Sequence, residues 1–197
     1  PAVRRAVLEH GIDPATVKEV NVGFNLVPAM LTKRVDATLG AFWNVEGVQL
    51  RMEARRPRIL PVDRAGVPPY DELVLIASED TVRRRGALIR RFIQALQRGT
   101  RAAERDPALA VRSLREAAPD LKRDFLERSV AATLPVLVPA RAKDPFGWQD
   151  PVEWQAYAAW MESSHLIPRA PAPGAVLTNE FLPGEGIGTV GEEPAAP

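Results

Sequence analysis

The residues best equipped for chemistry sit in two short stretches, Asn21-Val22-Gly23-Phe24-Asn25 and Trp43-Asn44-Val45-Glu46. An indole face, an amide and a carboxylate within four residues suit a flat heterocycle that carries N–H donors. The ring stacks on Trp43, and Glu46 accepts hydrogen bonds from an exocyclic amine or a protonated ring nitrogen. A carboxylate in a half-buried site repels an anion, so sulfonate and phosphate ligands fit less well.

Each of these residues also has a plainer reading. Glu46 in the first turn of a helix opposes the helix dipole without any ligand. Asn44 can serve as an N-cap, Trp43 can be ordinary core, and Phe24 and Asn25 can simply shape a turn. Tyr70, in the proline-stiffened segment Pro68-Pro69-Tyr70, is either a packing residue at a hinge or a wall of the pocket. Asp36 satisfies backbone groups where a strand begins and is not a candidate.

Several other chemistries are excluded. The 197 residues contain no cysteine and two histidines, His10 and His165. Thiolate metal sites, disulfides and cysteine nucleophiles are therefore absent from this stretch, and a multi-histidine metal site has too few ligands. Neither histidine stands in a nucleophile and base arrangement. Gly184-Glu185-Gly186-Ile187-Gly188 has no strand before it and no helix after it, so it is not a phosphate loop, and no cofactor is expected. With 26 basic against 25 acidic residues the formal charge is +1, which lacks the excess that nucleic-acid binding requires. No apolar run reaches the roughly 18 residues of a membrane helix.

The elements that must position the two stretches alternate over the first 62 residues. Val3, Ala6, Val7 and His10 recur at helical spacing before Gly11. Strands are expected over 17–22, 35–42 and 58–62, with helices over 26–33 and 45–54, the second capped by Asn44. This alternation points to an α/β lobe with a parallel sheet. In such sheets ligands sit beyond the carboxyl ends of the strands, where both stretches fall. A further strand is expected over 72–77.

The remainder reads as helices: 79–84 capped by Ser78, 87–105, 107–117, one capped by Asp120 and ended by Pro135 and Pro139, and 151–163 capped by Asp150. The helix over 87–105 has Leu88, Ile89, Phe92, Ile93, Leu96, Gly99 and Ala103 on one side. Its other side is rich in arginine and reads as a solvated face, or else as a docking surface. Residues 183–197 read as a loose tail.

Residues 20–31, from Val20-Asn21-Val22-Gly23-Phe24-Asn25 onward, resemble the substrate-binding proteins of ABC importers, as do Arg34-Val35-Asp36-Ala37-Thr38-Leu39-Gly40-Ala41-Phe42-Trp43-Asn44-Val45-Glu46-Gly47 and Tyr70-Asp71-Glu72-Leu73-Val74-Leu75. The resemblance is to the thiamine-pyrimidine-synthase-like branch, which includes binders of thiamine's aminopyrimidine precursors, and it covers residues 1–167. It implies a type II periplasmic-binding-protein-like α/β fold, in which a parallel-sheet lobe is followed by a mostly helical part of the other lobe. Residues 1–70 would belong to the second lobe, 71–182 to the crossing strand and helices of the first, and 183–197 to the tail. The chain is expected to continue further in the N-terminal direction.

The function implied is extracytoplasmic or periplasmic capture of an aminopyrimidine between two lobes, without covalent chemistry, for delivery to an ABC permease. Trp43 would stack on the ring, Glu46 would take its amine, Asn44 and Asn25 would orient it, and Phe24 and Tyr70 would line it. The alternatives are another small solute, such as riboflavin, a sulfonate or nitrate, a pyrimidine-synthase-type enzyme, or a stand-alone interaction module. The synthase is opposed by the missing cysteines, since its chemistry is associated with a cysteine cluster.

Overall fold

The computed structural model of the protein describes residues 11–137 and 144–183. The expected helix around Val3 to His10, the stop at Pro139 and the glycines from Gly184 onward lie outside them. Among the described residues there are seven α-helices. They are α1 (Leu26–Leu31), α2 (Glu46–Met52), α3 (Glu79–Arg84), α4 (Gly86–Arg105), α5 (Pro107–Ala117), α6 (Arg123–Leu137) and α7 (Pro151–Ser163). Short 3-10 turns occur at Pro14–Thr16, Val62–Ala65 and Pro173–Ala175. No helix there is long and apolar enough to cross a membrane.

Local signals set most helix starts. The Ser78 hydroxyl accepts the Thr81 N–H at 3.2 Å, the Asp106 carboxylate accepts that of Ala108 at 3.1 Å, and the Asp150 carboxylate accepts that of Val152 at 2.8 Å. Pro107 and Pro151 fill first-turn positions, where a missing N–H costs nothing. Asp120 does not cap a helix. The Leu121 N–H closes a turn onto the Ala118 carbonyl at 3.1 Å, and α6 starts later, at Arg123. Pro135 lies inside α6 rather than ending it. So near the C-terminal end a proline removes one ladder bond without interrupting a long run.

The expected sheet is the main departure. Among the described residues no strand is assigned; 17–22, 35–42 and 72–77 have neither helix nor ladder, and 58–62 is irregular until Val62 opens a 3-10 turn. Parallel strands need hydrogen-bonded neighbours and cover on both faces. Here Val20, Leu39, Leu60, Leu73 and Ile76 are exposed instead. Gly40, inside one expected strand, takes φ +85°, which extended backbone does not accommodate. Composition favoured strands, but pairing partners are a non-local requirement.

The chain divides into two compact units. The first joins Pro1–Pro68 to Asp106–Pro135. In it α1 packs on α2, burying Ala29, Val48 and Leu50. Val111 of α5 and Leu126 and Val130 of α6 form a buried cluster, flanked by Ala110, Phe125 and Leu134.

The second unit joins Pro69–Arg105 to Val136–Pro197. Within it α3 packs on α4, and α7 packs on the Pro173–Ala175 turn. The exposed side of α4 includes Leu88, Phe92 and Leu96. At the start of α4, a Cβ on Gly86 would stand 2.7 Å from a ring carbon of the buried Phe181. Gly86→Ala is therefore expected to destabilise the chain by about 1–3 kcal/mol through overpacking, despite alanine's better helix propensity. Urea denaturation would measure this, and unchanged stability would show that the Phe181 ring can move aside.

Candidate functional site

The loop before α2 gathers three of the candidate residues. Trp43 is 41% exposed, so it is not core, and its indole has no aromatic partner among the described residues. Glu46 opens α2 as the acid of its first turn, as the helix dipole favours. Its carboxylate also reaches back to accept the Phe42 N–H at 2.7 Å through Oε2. The side chain is half-buried and Oε1 has no partner among the described hydrogen bonds. One oxygen thus holds the loop while the other is left to accept from a ligand.

Asn44 does not cap α2. The N-cap position is Val45, with no side-chain cap bond. The Asn44 amide instead donates through Nδ2 to Thr133 Oγ1 of α6 at 2.8 Å, while its backbone carbonyl accepts the Ser129 hydroxyl at 2.7 Å. Thr133 in turn donates to the Ser129 carbonyl at 2.7 Å, the usual back-bond of a helical threonine. The loop is pinned to a helix far away in sequence. Sequence reasoning passed over Ser129 and Thr133, because a hydroxyl pair four residues apart carries no sign of what it will touch.

Gly23, Phe24 and Asn25 form a separate turn. Asn21 Oδ1 accepts the Gly23 N–H at 2.9 Å, and the Asn25 N–H donates to the Val22 carbonyl at 3.1 Å. Gly23 adopts φ +55°, the left-handed region that suits glycine. Phe24 is fully exposed, and Asn25 stands at the N-cap of α1 without a side-chain cap bond. Both side chains are free to contact a ligand, and α1 packs on the α2 that carries Glu46.

Tyr70 belongs to the other unit. Its ring stacks on Tyr157 at 4.7 Å and 16°, and Tyr157 stacks on Trp160 at 5.6 Å and 23°. Its hydroxyl donates to the Glu72 carboxylate, and the neighbouring Asp71 accepts the Trp154 indole N–H at 3.0 Å. One ring face and the hydroxyl of Tyr70 are thus occupied, and the residue remains partly exposed. The Glu72 hydrogen bond, then burial, push its pKa up to about 12, and burial followed by the Glu72 charge raises that of Tyr157.

A raised tyrosine binds its proton more tightly in the folded state. The stability it adds is complete below its ordinary value of 10.0 and is lost as pH rises through about 12. An ultraviolet tyrosinate titration is expected to show both tyrosines ionising late, with Tyr70 near pH 12. Two ordinary titrations would contradict the stack and its hydrogen bond. His165, exposed just after α7, touches neither loop nor stack in any described hydrogen bond. Among the described residues no three His, Cys, Asp or Glu side chains converge as a metal site.

The family model for NMT1/THI5-like proteins matches residues 1–110, a span that includes both loops and Tyr70. The chain belongs to the NMT1/THI5-like family. This family implies a periplasmic-binding-protein-like fold; the described residues are rich in helix and no sheet is assigned among them. A relative in Haemophilus influenzae, named as a thiamine biosynthesis protein, is 32% identical over 81% of this chain and 49% of its own. The formylaminopyrimidine-binding protein of Halalkalibacterium halodurans is 29% identical over 83% of this chain and 50% of its own. A 4-amino-5-hydroxymethyl-2-methylpyrimidine phosphate synthase of Legionella pneumophila is 28% identical over 64% and 40% respectively. The chain spans about half the length of the first two of these relatives.

Proposed function

We propose that this NMT1/THI5-like chain carries the ligand-recognising loop of an extracytoplasmic solute-binding protein, which captures a thiamine-type aminopyrimidine for an ABC importer. The observation that carries this reading is the exposed Trp43 indole three residues from a Glu46 carboxylate that has one oxygen fixed by Phe42 and the other without a partner among the described residues. A stacking face beside a hydrogen-bond acceptor matches a ring with an exocyclic amine. The name of the Halalkalibacterium halodurans relative, a formylaminopyrimidine-binding protein, points to the same ligand class. Asn44, Asn25 and Phe24 orient and line the ring in this reading.

The synthase name of the Legionella relative favours a second reading, an enzyme that makes the pyrimidine. The 197 residues supply no cysteine for that chemistry. Calorimetric titration of the purified chain with 4-amino-5-hydroxymethyl-2-methylpyrimidine, riboflavin and an alkyl sulfonate separates the ligand readings. Binding of the pyrimidine alone supports capture. Preference for the sulfonate or the flavin would keep the fold family and remove the role of Glu46. Release of pyrimidine by the protein without added ligand would favour the synthase.

A further inference from the structure

The bonds between α6 and the Trp43 loop have a direction, because each hydroxyl has a single hydrogen to give. The Ser129 hydrogen goes to the Asn44 carbonyl at 2.7 Å, and the Thr133 hydrogen goes to the Ser129 carbonyl at 2.7 Å. Both acceptors are carbonyl oxygens and cannot donate. Thr133 Oγ1 therefore meets the Asn44 side chain with a lone pair, and only the amide nitrogen can face it, as the 2.8 Å contact requires. If the amide were turned over, two lone pairs would meet, or Thr133 would abandon the Ser129 carbonyl. The Asn44 site is part-buried, so an unmade bond there carries a desolvation cost.

We propose that Ser129 and Thr133 are positioning residues that hold the Asn44 amide in one orientation, with Oδ1 unpartnered among the described residues, so that Asn44 and Glu46 both meet the ligand as acceptors. The loop then selects a ring presenting at least two N–H donors and discriminates against an isostere that presents acceptors. This rests on the reading of the loop as a pyrimidine site, and it assigns the selectivity of that site to two hydroxyls that need not touch the ligand.

The test uses the full chain and two readouts. The first needs no ligand and follows solvent exchange of the Asn44 side-chain amide hydrogens by nitrogen-edited NMR. Exchange is expected to be roughly tenfold faster in Thr133→Val and restored by Thr133→Ser, which keeps the hydroxyl. Equal exchange in wild type and Thr133→Val would overturn the relay.

The second readout compares affinity for 4-amino-5-hydroxymethyl-2-methylpyrimidine with that for its 4-methoxy analogue, which has an acceptor in place of the amine. The wild type is expected to prefer the amine, and Thr133→Val to lose roughly tenfold of that preference as the amide becomes free to turn. Thr133→Ser should retain it. An unchanged preference in Thr133→Val would overturn the selectivity role. Should Thr133→Val fail to fold, Ser129→Ala removes the other anchor and is expected to lower the preference in the same direction. A wild type that binds neither pyrimidine would remove the pyrimidine reading and the selectivity role with it, while amide exchange still judges the relay by itself.

Discussion

Glu46→Gln is expected to weaken binding of an aminopyrimidine by about 1.5–3 kcal/mol, roughly 10- to 150-fold in Kd, with little change in stability. The substitution leaves an oxygen to accept the Phe42 N–H, so the loop keeps its 2.7 Å tether. The other end of the side chain becomes an NH2 group facing the ligand's own N–H, which turns an attraction into an opposition. Losing the first-turn charge costs about 0.3–1 kcal/mol of helix stability, well below the loss in affinity. Calorimetry and urea denaturation on the same variant separate the two effects. Unchanged affinity would return Glu46 to its role at the helix end alone.

The second large effect lies in the buried cluster shared by α5 and α6. Leu126 is 3% exposed and packs with Val111 and Val130 where α5 meets α6. Leu126→Ala removes buried methyl groups and leaves a cavity, at a cost of about 2–5 kcal/mol. That is a large fraction of the 5–15 kcal/mol typical of a whole domain. Leu88→Ala on the exposed side of α4 is the control, since Leu88 is 47% exposed and gives up much less apolar burial. Denaturation midpoints should fall clearly for the first variant and little for the second. Equal losses would mean that Leu126 and Leu88 are buried alike, contrary to the packing described here. Since α6 also carries Ser129 and Thr133, loosening it should disturb the Trp43 loop as well.

What was legible in the sequence was what is decided within a few residues. Ser78 and Asp150 announced α3 and α7, because an N-cap binds an N–H two or three positions away. Glu46 was legible as a first-turn acid for the same reason. Asn44 looked like a cap by that local rule, but its amide found Thr133, 89 positions along the chain. Tyr70 had an open choice between wall and packing, and its neighbours, Tyr157 backed by Trp160 on its ring and Glu72 on its hydroxyl, were not legible because no spacing reveals their convergence. The strands depend most on distant partners. Residues 72–77 have the composition of a buried strand, yet Leu73 and Ile76 are 86% and 84% exposed without a neighbouring ladder. Apolar composition sets what a segment tolerates, and pairing decides what it becomes.

The most direct test of the central claim is chemical-shift mapping of the nitrogen-labelled chain during titration with 4-amino-5-hydroxymethyl-2-methylpyrimidine. The expected result is a saturable shift of the Trp43 indole N–H and of the backbone amides of residues 42–47, with smaller changes at Phe24 and Asn25. Saturable binding with shifts confined to other residues, or no shifts at all, would contradict the assignment of this loop as the pyrimidine site.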